Sequence, residues 1–172
     1  SDLSFVTAFM DASDADCVIT RKSTGGHILF IGLGPTVWKV GQSPVTTLST
    51  AESELMQIAA TVQDVKHLHD ILEGLGFPQT TTTLYEDNQA AIQIAENACY
   101  RSKTKHMGRR YRFIRDAVEN KEVILIYCPT EYNIADIFTK PLGYERFVYL
   151  RGILLGYEGY LPDPDNLRVA RR

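Results

Sequence analysis

Between Phe5 and Val40 the chain reads FVTAFMDASDADCVITRKSTGGHILFIGLGPTVWKV. Three runs in it, Phe5 to Ala12, Gly26 to Leu33 and Thr36 to Val40, are rich in the β-branched and aromatic residues that suit strands. The links carry Gly25-Gly26 and Gly34-Pro35, both turn signals, so the three are expected to form an antiparallel meander. Trp38, in an amphipathic strand, is expected in the core.

Downstream the period changes. Leu55, Ile58, Ala59, Val62, Val65, His69 and Leu72 recur at helical spacing, with Ser49 or Thr50 as N-cap and Gly74 and Gly76 as the stop. Thr81 to Glu86 reads as a short strand, Asn88 to Glu96 and Lys105 to Asn120 as helices, and Glu122 to Tyr127 as a buried strand. A helical segment begins over Asn133 to Thr139 until Pro141 interrupts it, and Tyr144 to Leu155 is the last helix. The fourth and fifth strands each follow a helix and are expected parallel to the first. The fold class is therefore α/β: a mixed five-stranded sheet, three antiparallel strands then two parallel, covered by helices. Residues 1–155 are expected to form one domain and residues 156–172, with Pro162, Pro164 and a basic end, a loosely attached tail.

The chain has 172 residues, 44% hydrophobic and 23% charged, with a net charge of −3. That composition is globular, and the charge excludes nucleic-acid binding through overall basicity, so any such binding needs a local patch. No apolar run approaches the ~18 residues of a membrane span, so no membrane partner is expected. Ser1-Asp2-Leu3-Ser4 lacks both an initiator Met and a signal pattern, so a piece of a longer polypeptide is expected. Cys17, Cys99 and Cys128 form no metal-binding or disulfide pattern, which fits a reduced intracellular compartment.

Four acids occupy comparable places. Asp11 ends the first strand, Glu54 lies in the first turns of the long helix, Asp87 follows the fourth strand and Asp136 follows the fifth. In a sheet of this order such positions can converge on one edge, at the C-terminal ends of the parallel strands. Converging carboxylates need cations, and hard oxygen donors suit magnesium or manganese. Two such ions can activate a water and stabilise the departing oxygen of a phosphodiester. An Asp after a strand is also ordinary turn chemistry, and helical periodicity alone does not separate Glu52 from Glu54.

The motifs narrow the choice. Phe9-Met10-Asp11-Ala12-Ser13 resembles the first-strand motif of type-one ribonuclease H. Asp11-Ala12-Ser13-Asp14-Ala15-Asp16 with Arg21-Lys22-Ser23-Thr24-Gly25-Gly26 is similar to the version in copia-type LTR retrotransposons. Leu48-Ser49-Thr50-Ala51-Glu52-Ser53-Glu54-Leu55, Glu86-Asp87-Asn88-Gln89-Ala90-Ala91-Ile92, Lys103-Thr104-Lys105-His106, Arg110-Tyr111-Arg112-Phe113-Ile114-Arg115 and Ala135-Asp136-Ile137-Phe138-Thr139-Lys140-Pro141-Leu142 follow in that family's order. The resemblance covers about residues 6 to 155. It implies a ribonuclease H-like fold and the ribonuclease H domain of a retrotransposon polyprotein, C-terminal to its reverse transcriptase, which is then a partner. It implies catalytic and metal-holding roles for Asp11, Glu54, Asp87 and Asp136. Asp11 would be shared by two Mg2+ ions (Mn2+ being the other candidate), Asp136 would serve the ion beside the attacking water, and Glu54 and Asp87 the ion at the leaving 3' oxygen. The implied substrate is the RNA strand of an RNA–DNA hybrid, and the implied location is the cytoplasm, within virus-like particles, with the nucleus as the alternative.

The family has an Asp where this chain has Gly108 and a His where it has Arg112. Cellular ribonucleases H carry a His in the loop before their last acid. Thr130-Glu131-Tyr132-Asn133 has none, as in copia-type domains generally.

Substrate contacts are expected in three places. Arg101 to Arg115 holds seven of the eighteen Lys and Arg residues, and Lys105, Arg109 and Arg112 share one helix face, with His106 beside them. That face is either a phosphate-contacting ridge or a solvated face paired with Asp116 and Glu119. Arg21, Lys22, Ser23 and Thr24 either reach phosphate and a 2'-hydroxyl or form a polar hairpin turn. Asn88 and Gln89 either bind bases and sugars or cap a helix, and the resemblance favours a substrate role for Gln89. His67 and His69 point away from each other and make a poor metal pair. Two rival functions remain: a catalytically decayed or domesticated nucleic-acid-binding module, and an integrase-like enzyme, against which the lack of a late helix-borne Glu counts.

Overall fold

The computed structural model describes residues 6–13, 22–43, 49–97 and 108–157. Arg21, Lys105, His106, Cys17, Cys99 and the tail beyond residue 157 lie outside them. The strands are β1 (Val6–Ser13), β2 (Thr24–Ile31), β3 (Gly34–Gln42), β4 (Thr82–Glu86) and β5 (Val123–Tyr127). The α-helices are α1 (Thr50–Gly74), α2 (Gln89–Glu96), α3 (Gly108–Glu119), α4 (Asp136–Thr139) and α5 (Tyr144–Leu154), with a 3-10 turn at Thr130–Tyr132. One sheet runs in the order β3-β2-β1-β4-β5. The pairs β1–β2 and β2–β3 are antiparallel, and β1–β4 and β4–β5 are parallel, as the sequence order implied.

Side-chain alternation along the strands sorts the core into two layers. Val6, Ala8 and Met10 of β1 face the same way as Leu29, Leu84, Val123 and Leu125, and this face is covered by Leu55, Ile58, Val62 and Val65 of α1 and Ile114 of α3. Phe9 faces the other way, with Ile28, Phe30 and Tyr85, under Ile134, Ala135, Leu150 and Ile153. Phe9 stacks on Tyr85 at 4.7 Å and meets Phe30 edge-on at 6.0 Å, which ties three neighbouring strands together on that face. Ser49 caps α1 by accepting from the Glu52 amide, and Gly76, at φ +87, follows the helix end.

Gly25-Gly26, expected as a turn, lies inside β2 opposite Ala12 and Asp11, and two further expectations fail at β3. The β2–β3 turn is Gly32-Leu33, with Gly32 at φ +61, and not Gly34-Pro35, which opens β3. A proline fits there because β3 is the edge strand and one ladder donor can be spared. Trp38 is 63% exposed and not core: it alternates with Val37, which packs on the α1 side, and among the described residues helix packing is concentrated on β1, β2 and β5.

Gly26 decides how closely α4 can approach. It pairs with Asp11, and a Cβ placed on it would lie 2.6 Å from Cβ of Phe138, just before Thr139 and Lys140. That neighbour is the root of a side chain and cannot swing away. Gly26→Val should therefore push α4 off the sheet and cost about 1–3 kcal/mol in urea unfolding. An unchanged midpoint would show that α4 does not depend on this contact.

Candidate active site

The sheet splits where the acids are. Parallel pairing of β1 with β4 stops at Phe9–Tyr85, while β4 continues beside β5 to Glu86–Tyr127. Past that point the Met10 carbonyl lacks a β4 partner and accepts instead from Nδ2 of buried Asn133 at 2.9 Å. This bond draws the loop carrying Ala135 and Asp136 onto the end of β1.

Alternation then assigns each acid a side. Asp11 falls on the Phe9 face and meets α4. Glu86 follows Leu84 on the other face and meets α1, which supplies Glu54. Carboxylate oxygens of Asp11, Asp87 and Asp136 lie within 4.8 Å of one another, and so do those of Glu54, Glu86 and Asp87. All four acids expected from the sequence are thus brought together. Asp87 is the member common to both groups. Glu54 is the α1 acid that reaches the cluster, which helical periodicity could not decide. Asp11, Glu54, Ala12, Thr50, Asp87, Asn88, Gln89, Tyr127 and Lys140 line a cleft of about 500 Å³.

A fixed set of partners holds these acids. Lys140 Nζ lies 2.9 Å from Asp11 Oδ1 and 2.8 Å from Asp136 Oδ1. Thr139 donates to Asp11 Oδ2, Thr130 donates to Asp87 Oδ2 at 2.8 Å, and Arg146 donates to Asp136 Oδ2 at 2.8 Å. Arg146 also binds the carbonyls of Thr130 and Glu131, each at 2.6 Å, so it braces the loop before the last acid.

Glu86, Thr130, Thr139, Lys140 and Arg146 all escaped the sequence reading as site residues. Glu86 was legible from alternation, because Thr82, Leu84 and Glu86 share a face. Lys140 was legible from its place four residues after Asp136. Arg146 carried no local signal, since its contact joins two separate helices.

The electrostatics are those of crowded acids in a dry place. Burial above all, then the charges of Asp11 and Asp87, push Glu54 up to about 9. Burial and Glu54 push Glu86 well above the carboxylate range, and burial raises Asp11 despite Thr139 and Lys140. Oε2 of Glu54 and Oε2 of Glu86 are buried and have no hydrogen-bond partner. Hard oxygen donors with unmatched buried atoms fit divalent cations of the magnesium and manganese class. Cys128 is buried, and burial pushes its thiol up to about 12, so it is no nucleophile.

A sign follows for stability. The folded state keeps the Glu54 proton up to about 9, while the unfolded chain loses it above the ordinary 4.5. Without divalent ions, this group's contribution to stability should be present at low pH and be lost as pH rises through that window. Glu54→Gln should flatten the slope and be the more stable protein near pH ~8. Urea midpoints measured between about pH 5 and pH 9 would check it, and parallel slopes for parent and variant would contradict it.

The expected substrate residues are placed unevenly. Asn88 is the N-cap of α2, accepting from the Ala91 amide at 3.1 Å, while Gln89 is exposed on the cleft. Ser23 is buried and Thr24 pairs with Ser13 and Gln42, and Lys22 is half-buried beside them. Ser23 lines a separate cavity of about 270 Å³ with His27, Lys39 and Gln57. There buried His27 bonds Asp64 and Gln57, each at 2.7 Å. Arg109 and Arg112 are exposed on α3, whose Tyr111 hydroxyl is tied to the Asn97 carbonyl at the far end of α2, and they do not line the cleft. Of the two other histidines considered, His69 bonds Thr82 at 2.7 Å and His67 is exposed.

No protein-family model matches the chain. It is 30% identical over 139 residues to a retrovirus-related Pol polyprotein from tobacco transposon TNT 1-94, and 29% over 141 residues to that of Arabidopsis transposon RE1. Each match covers 81% of this chain and 10% of the relative, so the chain spans about a tenth of the length of these relatives. A Ty1 Gag-Pol polyprotein of baker's yeast is 28% identical over 130 residues, 75% of this chain and 7% of the polyprotein. Among solved structures, a ribonuclease H1 isolated from compost superposes with a TM-score of 0.60 at 12% identity, over 79% of this chain and 93% of that one. The enzyme from the archaeon Halobacterium salinarum gives 0.56 at 14% identity, over 78% and 93%.

Proposed function

We propose, from the premise that this chain has the ribonuclease H fold and is related to retrotransposon Pol polyproteins, that it hydrolyses the RNA strand of RNA–DNA hybrids during reverse transcription. One observation carries the reading: Asp11, Asp87 and Asp136 converge within 4.8 Å at the ends of the parallel strands, with Glu54 joined through Asp87. Asp11, Glu54, Asp87 and Asp136 would hold divalent cations, Mg2+ or Mn2+. When bound, such ions supply an activated water and neutralise charge on the departing 3' oxygen.

The chain's own residues prepare that chemistry. Thr139 and Arg146 hold the far oxygens of Asp11 and Asp136, and Thr130 holds Asp87. Gln89 stands on the cleft where a sugar or base edge of the hybrid would pass. The partner in the longer polypeptide would be its reverse transcriptase, and the setting the cytoplasm, within particles, or the nucleus.

Product ends test this reading. A water attacking with the 3' oxygen leaving yields 5'-phosphate and 3'-hydroxyl ends. A 2',3'-cyclic phosphate would mean that the neighbouring 2'-hydroxyl attacked, which needs no such acid site.

The ridge on α3 makes a separate prediction. If Arg109 and Arg112, with Lys105, contact hybrid phosphates, replacing all three by Ala should flatten the salt dependence of binding by about 0.7–0.9 in logarithmic slope per contact. Affinity should fall about equally for different hybrid sequences. A salt series matching the parent would make the face a solvated surface.

A further inference from the structure

The cation already present among the acids is a side chain. Lys140 Nζ is hydrogen-bonded to the Oδ1 atoms of Asp11 and Asp136 and lies 3.9 Å from Asp87 Oδ2. These are the three acids whose oxygens converge within 4.8 Å, so the ammonium sits where one cation neutralises all of them. The side chains of Asp11 and Asp136 are 1% and 2% exposed, and two such carboxylates side by side need a positive charge between them.

The partners divide into two kinds. The far oxygens have fixed holders: Thr139 on Asp11 Oδ2 and Arg146 on Asp136 Oδ2. Arg146 is pinned further by two backbone carbonyls. The near oxygens face Lys140, whose ammonium has only carboxylates as partners among the described residues. Its side chain is 33% exposed and lines the cleft. A compact ammonium on a flexible stem can withdraw to water, whereas a braced guanidinium cannot.

We propose that Lys140 is a tethered counter-cation of the acid cluster, holding Asp11 and Asp136 together and yielding its place to a divalent ion bound by the same carboxylates. This rests on the metal-centre reading above. A single charge and a double charge at one point repel, so Lys140 must leave as the ion enters. Its departure is a cost on ion affinity. The far-oxygen bonds stay, so the near oxygens remain aimed at the ion. Lys140 is a positioning residue and touches no substrate here.

The test uses Mn2+ alone, without nucleic acid, with bound ion counted by electron paramagnetic resonance of the free ion. Lys140→Met keeps the stem and removes the charge. It should bind Mn2+ at least about tenfold more tightly than the parent. In chelator it should unfold about 3 °C or more below the parent, and Mn2+ should raise its midpoint by more. Lys39→Met, which removes a positive charge next to Asp64, should change neither quantity. If Lys140→Met does not fold, Lys140→Gln keeps a donor without the charge and should show the same tightening. Parent and variant binding Mn2+ equally would overturn the role of Lys140 and leave the metal centre standing. Binding by neither protein would overturn the metal centre, and this inference with it.

Discussion

Asp11→Asn should lower hydrolysis of the RNA strand of a hybrid by at least about a thousandfold while leaving hybrid affinity within about threefold. Asp11 belongs to the convergent group of acids and lines the cleft, so on the proposed function losing its negative charge would remove an ion ligand from the reacting centre. Ion-assisted stabilisation of developing charge is worth several kcal/mol, and ~4 kcal/mol is about a thousandfold in rate. The fold should survive. Burial is the largest influence on the Asp11 carboxyl and already disfavours its charge, so a neutral amide of the same shape is tolerated. Single-turnover cleavage, hybrid titration and thermal melting on one preparation separate these effects. A variant that cuts within about tenfold of the parent would remove Asp11 from the chemistry.

Removing divalent ions should have an effect of similar size. Cleavage should vanish in chelator, return with Mg2+ or Mn2+, and stay absent with Ca2+ even though Ca2+ binds. Calcium takes a larger and looser oxygen shell, which holds an in-line displacement poorly. Two buried carboxylate oxygens without hydrogen-bond partners, on Glu54 and Glu86, give the physical reason for a strong ion requirement. Full activity in chelator would mean that the acids act without ions.

The strand directions were legible because short links join the first three strands and a helix precedes each of the last two. The turn at β2–β3 was not, because Gly32 and Gly34 are both plausible turn residues and only the ladder shows which has positive φ. Trp38 was misplaced because alternation tells which face a residue takes and not whether anything covers that face. The four acids were legible mainly through motif order. Glu86 looked like the flank of Asp87, though its strand position already put it on the α1 side. Spacing signalled Lys140 only toward Asp136, and its contact with Asp11 needed tertiary information, as did Arg146, whose partners lie on the loop and helix around the last acid. The basic run was visible as composition, but that Arg109 and Arg112 do not line the cleft was not.

The most direct measurement gives the purified 172-residue chain four labelled substrates in Mg2+: an RNA–DNA hybrid, the same RNA alone, the RNA duplex and the DNA duplex. Cutting confined to the RNA strand of the hybrid, and lost with Asp136→Asn, is the expected result. A hybrid that is bound but left intact would contradict hydrolysis and make the chain a binding module, and equal cutting of the DNA duplex would contradict the substrate.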